Sequence, residues 1–314
     1  MRGLELARAY YEAHGAPMLR EQFPHLMPLV AAGLFGGGSE CFGYDDDISR
    51  DHDFEPGFML LLPGEDVVSR RDAFLLERAC DKLPREFGGL RRGLMRPVGG
   101  ARRGVLRTAE FFADKVGAGD GILTLGQWLT VPEYALAEAV NGEVFNDGYG
   151  EVTRIREGLS DWPEDVRRKK LAGCLLLMAQ SGQYNYPRCL AHGETGAAQL
   201  AAVEFARSAM HALFLINGAY MPYYKWQFRA LRALPVLSLE AELLEYLIAT
   251  GNDGETAGEK RRVIEGICAD VIDELRRQDL TRATCGDLEK HAYSVNDGIR
   301  DGELRTLHVL AAVG

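Results

Sequence analysis

The chain contains 314 residues, of which 46% are hydrophobic and 26% charged, and its formal net charge is −10. This composition predicts a folded protein of one large or two modest domains, and the acidic total argues against a surface that binds nucleic acid or anionic membranes throughout. The sequence has no run of about eighteen apolar residues and no secretion-signal pattern at its start, which predicts a cytoplasmic protein without a membrane partner. The six cysteines lack CxxC spacing, so we interpret them as reduced core residues.

The first half of the chain mixes short apolar runs with many glycines, which predicts a sheet with a few helices. In chain order we expect a helix near residues 3–14, strands over 29–35 and 50–62, and a helix over 69–82. The second of these strands should end at the Pro63-Gly64 turn.

From Pro163 onward the apolar residues recur at helical spacing. Residues 263–275 form one apolar helix face, residues 239–249 form another helix, and residues 197–216 are apolar nearly all round, which places them at the centre of a bundle. The sequence therefore predicts an α+β protein: a mixed sheet with helices over residues 1–155, then an all-α helical bundle over residues 156–314.

The stretch with the most chemical information runs from three glycines, Gly36–Gly38, through Ser39 to Asp51 and Asp53. Residues two apart on a strand share a face, and two carboxylates about 5 Å apart repel by roughly 3 kcal/mol at an effective dielectric near 20. That repulsion favours a bound cation, and Mg²⁺ prefers carboxylate ligands together with substrate phosphates. Glycines let backbone amides approach a phosphate, and the Ser39 hydroxyl adds a donor.

Two alternatives remain open for this stretch. In the first, the two aspartates are surface acids on a strand edge and the glycines only form a turn. In the second, His52-Asp53 is the doublet of a metal phosphohydrolase, although the other six histidines show no supporting spacing. We assign His52 itself a structural role.

Residues 38–53 resemble the DNA polymerase β-like nucleotidyltransferase superfamily, whose signature is a Gly-Ser turn, a gap of about this size and an Asp-x-Asp on the next strand. They look like a bacterial branch related to aminoglycoside adenylyltransferases, and the likeness extends through residues 142–147 and 222–226. The resemblance implies a nucleotidyltransferase-type sheet followed by a helical domain that closes over nucleotide and acceptor.

The resemblance also implies an activity, the transfer of a nucleoside monophosphate from a triphosphate, ATP in the first instance, with release of pyrophosphate. By this likeness Asp51 and Asp53 hold one or two Mg²⁺ ions, and Gly38 and Ser39 grip the β and γ phosphates. A catalytically degenerate relative that senses nucleotide or binds a protein is the alternative.

Lys225 and Arg229 stand four residues apart on a helix expected after Pro222. Like charges at that spacing cost a few tenths of a kcal/mol, so an anion between them is a reasonable hypothesis. By the resemblance, Lys225 holds the triphosphate and offsets charge in the transition state. An ordinary solvated helix face is the alternative.

The third carboxylate of the superfamily is where this sequence departs from the pattern. Glu55 shares the alternating face of the aspartates but adjoins Pro56, residues 104–107 offer no acid, and Glu110 stands where a helix cap is expected. Glu143 lies on a short predicted strand. Either Asp165 or its neighbour Glu164 opens the first helix of the second half, where the resemblance places the base that activates the acceptor.

The acceptor is not defined by the sequence. The segment from Arg85 to Arg107 contains seven arginines and one acid, so a local charge of +6 within a total of −10 leaves −16 for the remainder. Such an arm suits phosphate or an RNA end, or it is a solvated loop. Tyr184, Tyr186 and Arg188 line an acceptor pocket or serve core and turn roles. A small molecule is the expected acceptor, with an RNA end or a protein side chain as alternatives.

Overall fold

The computed structural model describes residues 2–46, 55–92 and 103–313. Within these ranges a mixed sheet with helices occupies the first part of the chain, and helices alone follow it. The chain is therefore an α+β protein, as its sequence pattern predicts. No helix within these ranges is both long enough and apolar enough to cross a bilayer.

The chain divides into two compact units, Met1–Gln127 with Val131–Asp161, and Trp128–Thr130 with Trp162–Gly314. The boundary that we expected after residue 155 falls inside a helix, Glu151–Ser160. The first unit continues through that helix to Asp161, because the helix packs on other elements of the first unit.

The first unit is built on a four-stranded mixed sheet in the order β5-β2-β1-β6. Its strands are β1 Ala31–Leu34, β2 Met59–Leu62, β5 Gly104–Arg107 and β6 Glu143–Asp147. Strand β1 runs antiparallel to both β2 and β6, and β2 runs parallel to β5. Two short strands, β3 Glu86–Phe87 and β4 Leu90–Arg91, form a separate hairpin.

The two central strands are apolar at every position, and all of their residues are buried. Continuous apolar runs of this kind are typical of strands covered on both faces. The β1–β6 pairing is interrupted by a register shift between Ala32 and Gly33, where a Cβ on Gly33 would stand 2.6 Å from the Glu143 carbonyl oxygen. Close approach of the two backbones therefore requires glycine at this position.

The strand expected over residues 50–62 is shorter in the structure, where it covers only Met59–Leu62. Glu55 lies outside regular strand structure, as the adjoining Pro56 indicated. Proline lacks the amide donor that a strand needs, and Pro56 follows Glu55 directly. Asp51, His52 and Asp53 lie outside the described residues.

Helices accompany the sheet in the first part of the chain. They are α1 Gly3–Tyr10, α2 Ala16–Gln22, α3 Arg70–Asp81, α4 Thr108–Val116, α5 Leu125–Thr130, α6 Glu133–Val140 and α7 Glu151–Ser160. Helices α1, α3, α4 and α7 pack against strands of the sheet, and the last three residues of α5 belong to the second unit. A π-helical turn, Tyr11–Gly15, joins α1 to α2, so the opening helix continues beyond its expected end at residue 14. Here the Tyr11 ring meets the Phe58 ring edge to face at 5.2 Å, and a Cβ on Gly15 would collide with Phe58.

The second unit is a bundle of helices. They are α8 Glu164–Met178, α9 Tyr186–Ala191, α10 Thr195–Ile216, α11 Gln227–Leu231, α12 Glu240–Ala249, α13 Gly254–Arg277, α14 Leu288–Asp297 and α15 Gly302–Thr306. Helix α10 is buried along most of its length and packs against α8, α9, α12 and α13. The prediction that this apolar segment forms the centre of the bundle is confirmed. A π-helical segment, Ala179–Asn185, links α8 to α9.

Candidate functional site

The strand pairings bring the chain segments of the predicted site to one end of the sheet. Gly33 pairs with Met59, Met59 pairs with Gly104, and Leu34 pairs with Glu143. Strand β1 therefore ends where β2, β5 and β6 begin. We call this place the turn end of the sheet and define it by Gly36–Glu40, Glu55–Phe58, Arg103 and Glu143.

The glycine turn follows β1 and depends on backbone conformations that favour glycine. Gly36 and Gly38 have φ angles of 108° and 130°, which residues with a Cβ atom rarely adopt. A Cβ on Gly38 would also stand 2.7 Å from a carboxylate oxygen of Glu40. Ser39 precedes a 3₁₀ turn, Glu40–Phe42, and accepts a 2.8 Å hydrogen bond from the Tyr44 amide through its carbonyl oxygen. Its hydroxyl does not cap the turn.

A side chain distant in the sequence holds the glycine turn. The Asn141 amide group accepts a hydrogen bond from the Gly36 N–H and donates one to the Gly36 carbonyl, both at 2.8 Å. Asn141 is in turn held through its own carbonyl, which accepts a 2.7 Å hydrogen bond from Arg156. Burial lowers the pKa of the Arg156 guanidinium to about 10, which still leaves it protonated at neutral pH. The turn is therefore fixed by a chain of contacts from α7 through Asn141.

Two acids and one arginine form a largely buried cluster at the turn end of the sheet. Arg103 Nη2 lies 3.7 Å from Glu40 Oε1, and Arg103 Nη1 lies 3.4 Å from Glu55 Oε1. The Glu40 side chain is 7% exposed, and its Oε1 atom accepts no hydrogen bond from the part of the chain that the structure describes. Sequence reasoning missed Glu40, and its position directly after the Gly-Ser pair was the only signal available.

Glu143, one of the expected bases, lies at the same end of the sheet. Its carboxylate accepts hydrogen bonds from the Arg8 guanidinium of α1, with the Arg8 Nε atom 3.3 Å from Glu143 Oε2. The hydrogen bond to Glu143 raises the pKa of Arg8 above its usual value. The Glu143 side chain is 43% exposed, so solvent reaches the ion pair. The pair fixes the position of the Glu143 carboxylate relative to α1.

Glu110 is separated from these residues by the length of the sheet. It lies in the first turn of α4, which begins where β5 ends, opposite the turn end. The helix start is instead fixed by Thr108, whose hydroxyl donates a 3.1 Å hydrogen bond to the Leu62 carbonyl. Arg107 occupies the N-cap position without a side-chain cap hydrogen bond, and the capping role expected for Glu110 stays a prediction.

Asp165 lies in the first turn of α8 in the second unit. Its two carboxylate oxygens accept hydrogen bonds from the Arg300 and Asp301 amides at 3.1 and 2.9 Å. Its neighbour Glu164 binds Arg167 and Arg168 of the same helix. The contacts of Asp165 thus anchor the turn before α15, which gives this acid a structural explanation.

Lys225 and Arg229 lie on two consecutive short elements rather than on one α-helix. Lys225 is in a 3₁₀ turn, Tyr224–Trp226, and Arg229 is in α11. The Lys225 ammonium lies 4.9 Å from the centre of the Trp226 ring. Both cationic side chains are exposed, and the spacing of an ideal α-helix does not describe them, because the 3₁₀ turn is more tightly wound.

The three residues proposed for an acceptor pocket have different environments. Tyr186 is buried, and its hydroxyl donates a 2.9 Å hydrogen bond to Asn252. Tyr184 is exposed and lines an open cleft of about 690 Å³ beside the π-helical segment Ala179–Asn185. Arg188 stacks on the Tyr184 ring at 5.0 Å. Of the three, only Tyr184 lines this cleft.

The described ranges contain no group of three or more His, Cys, Asp or Glu side chains arranged to hold a metal ion.

The chain was compared with known families. A family model described as a domain of unknown function, DUF4037, matches residues 128–227. This range includes Glu143, Asp165 and Lys225, and it excludes the glycine turn and both aspartates of the motif. No curated protein matches the chain.

Proposed function

We propose that the chain is a metal-dependent nucleotidyltransferase that moves a nucleoside monophosphate from a triphosphate to an acceptor and releases pyrophosphate. The observation that carries the proposal is the pairing of Gly33 with Met59. Because of this pairing, the glycine turn leaves the sheet where the segment that follows Asp51 and Asp53 enters it. A phosphate-binding turn and a pair of metal-binding carboxylates need this adjacency.

The glycine turn supplies the triphosphate contacts in this proposal. Backbone N–H groups of Gly38 and Ser39 bind the β and γ phosphates, with the Ser39 hydroxyl as a further donor. The Asn141 clamp on Gly36 holds the turn before substrate arrives, so little reorganisation is needed on binding. By the resemblance, Lys225 and Arg229 supply positive charge for the phosphates.

The chemistry of the donors fits Mg²⁺, because carboxylates are its preferred protein ligands. Asp51 and Asp53 would hold one or two ions, which supply charge neutralisation between the phosphates. The described acids at the turn end, Glu40, Glu55 and Glu143, are each within ion-pair distance of an arginine. They therefore leave the metal to the two aspartates.

Activation of the acceptor hydroxyl requires a carboxylate that accepts its proton. Glu143 and Asp165 remain the two candidates, and the acceptor class stays a small molecule first, then an RNA end or a protein side chain. Glu143 must exchange its Arg8 contact for the acceptor, whereas Asp165 must give up one of two backbone hydrogen bonds. Glu143 loses less structure in doing so, and we favour it.

The proposal is tested by pyrophosphate release with Mg²⁺ and each of the four nucleoside triphosphates, offered with pooled small-molecule, RNA and peptide acceptors. Asp51→Asn and Asp53→Asn should each abolish turnover, whereas Asp114→Asn, an exposed carboxylate of α4, should leave it unchanged. The assignment is wrong if both motif variants stay within about twofold of the wild type. Glu143→Gln and Asp165→Asn, compared in the same assay, decide between the two bases.

A catalytically degenerate module is the second candidate. It is favoured by the absence of an acid from β5, the strand beside β2, and by the ion pairing of every described acid at the turn end. A melting scan separates the cases, because a ligand raises stability by RT ln(1 + [L]/Kd). A shift with nucleotide and Mg²⁺ but no turnover identifies a nucleotide sensor, and no shift with any triphosphate identifies a protein-binding module.

A further inference from the structure

The cluster of Glu40, Arg103 and Glu55 joins three chain segments at the turn end of the sheet. Glu40 belongs to the glycine turn, Glu55 stands two positions after Asp53 in the sequence, and Arg103 directly precedes β5. We infer that Arg103 is a positioning residue: it sets the phosphate-binding turn relative to the segment that contains the metal-binding aspartates. This inference rests on the proposed function and adds to it a residue that acts without touching substrate.

Burial makes the contacts of Arg103 specific. The side chains of Arg103 and Glu40 are 12% and 7% exposed, and that of Glu55 is 20% exposed. In such surroundings a carboxylate without a cation is strongly disfavoured, so Glu40 stays in place only while the guanidinium lies beside it. Glu40 in turn occupies the space beside Gly38, where a Cβ would collide with its carboxylate. Movement of Arg103 is thereby transmitted to Gly38.

The path of the Arg103 side chain depends on a second glycine. A Cβ on Gly57 would stand 2.3 Å from Arg103 Cδ, and the three atoms nearest to that Cβ all belong to Arg103. The backbone of Gly57 does not have a positive φ angle, so alanine is compatible with the chain there. Gly57→Ala therefore displaces Arg103 without changing any charge, which provides a perturbation independent of replacing the arginine.

A guanidinium suits this role better than an ammonium. Its planar fork presents separate N–H groups, and Nη1 and Nη2 of Arg103 face different carboxylates. A lysine offers one charged atom, which reaches one carboxylate at a time. Arg103→Lys should therefore restore only part of what Arg103→Gln loses.

The experiment compares full-length Arg103→Gln, Arg103→Lys and Gly57→Ala with Arg107→Gln. Arg107 is the matched control, since it lies on β5 and donates to the Pro63 and Val68 carbonyls at 2.7 and 2.8 Å, at the opposite end of the sheet. Each variant is measured for its melting temperature, its Kd for Mn²⁺ by proton relaxation, and its kcat and KM for the triphosphate, well below the melting temperature.

We expect Arg103→Gln and Gly57→Ala to lower kcat/KM by about tenfold to a hundredfold, since misplacement of about 1 Å has effects of this size. The KM for the triphosphate should rise, Arg103→Lys should be intermediate, and Arg107→Gln should lose melting temperature alone. If the wild type turns over and binds Mn²⁺ while Arg103→Gln and Gly57→Ala behave like Arg107→Gln, only this inference is overturned. If the wild type neither turns over nor binds Mn²⁺, the proposed function fails and this inference fails with it.

Discussion

The carboxyl group of Glu240 makes the stability of the second unit depend on pH near neutrality. Glu240 opens α12 and is 6% exposed, and its Oε2 atom accepts no hydrogen bond from the described residues. Burial, together with the nearby Asp270 carboxylate, raises the pKa of Glu240 from 4.5 to about 7. The folded chain therefore holds the Glu240 proton more tightly than the unfolded chain does.

The sign and size of the effect follow from proton linkage. Between pH 4.5 and 7 the folded state binds more protons than the unfolded state, so the free energy of unfolding falls as pH rises through this window and levels off above it. The difference between the two pKa values corresponds to at most about 3.4 kcal/mol. Solvent near the start of α12 screens part of this energy, and we expect about 1–2 kcal/mol.

The perturbation is Glu240→Gln, which resembles the protonated carboxyl at every pH. We expect the variant to match the wild type near pH 4.5 and to be more stable by about 1–2 kcal/mol at pH 8. Urea unfolding at a series of pH values measures the difference, and hydrogen exchange of the α12 amides locates it. Glu242→Gln, an exposed carboxylate in the same helical turn, is the control. A Glu240→Gln difference that is equal at pH 5 and pH 8 would refute the reasoning.

Three further predictions concern single side chains. Asn141→Ala removes both hydrogen bonds to the glycine turn and should lower stability by about 1–3 kcal/mol and weaken triphosphate binding. Asn146→Ala, which loses the single hydrogen bond that its side-chain amide donates to the Val30 carbonyl, should affect stability alone. Equal triphosphate binding by the two variants contradicts the clamp. Gly182→Ala places a Cβ 2.3 Å from the Phe205 ring of α10 and should lower the melting temperature. Gly266→Ala, on the open surface of α13, should raise the stability by about 1 kcal/mol. Melting-temperature shifts of the same sign in both variants would be inconsistent with this packing. Asp165→Asn replaces a carboxylate that accepts two backbone hydrogen bonds with a neutral amide, and it should lower stability by about 1–3 kcal/mol with turnover retained. A loss of turnover at an unchanged melting temperature would make Asp165 the base instead.

Features that depend on residues close together in the sequence were predictable from the sequence alone. The apolar run of α10 indicates a buried helix without any knowledge of its partners, and the apolar runs of β1 and β2 indicate central strands. The hydrophobic effect depends on the apolar area removed from water, so a continuous apolar segment predicts burial wherever it packs. The α+β class follows from the order of such segments along the chain.

Features that depend on strand direction were not predictable in the same way. Glu110 and Glu143 are both acids near short strands, and the sequence separates them only by the helix start expected at Glu110. In the structure β5 runs away from the turn end while β6 begins there, so Glu143 lies at the turn end and Glu110 lies at the other. The choice rests on which strands pair and in which direction, and such pairing is decided by long-range packing.

Contacts between residues far apart in the sequence could not be predicted either. Asn141 binds Gly36 from 105 positions away, and Asp165 binds the Arg300 amide from 135 positions away. The sequence does not show that an acid in the first turn of a helix is hydrogen-bonded. Every residue except proline has a backbone amide, so the sequence does not indicate which distant amides donate to the acid. The structural explanation of Asp165 therefore became visible only with the packing of the bundle.

The charges at the turn end have a consequence for how the metal ion and the triphosphate bind in the proposed enzyme. Three carboxylates, Glu40, Glu55 and Glu143, and two guanidiniums, Arg8 and Arg103, leave these five side chains with a net charge of −1. In the proposed site the two aspartates of the motif add negative charge, so these side chains together repel a free triphosphate. A divalent cation lowers the negative charge of both partners, and each ligand should therefore bind more tightly when the other is present. We expect a melting shift with nucleotide and Mg²⁺ together that exceeds the sum of the two separate shifts, and a full shift with nucleotide in excess EDTA would contradict a turn that needs the metal to receive phosphate.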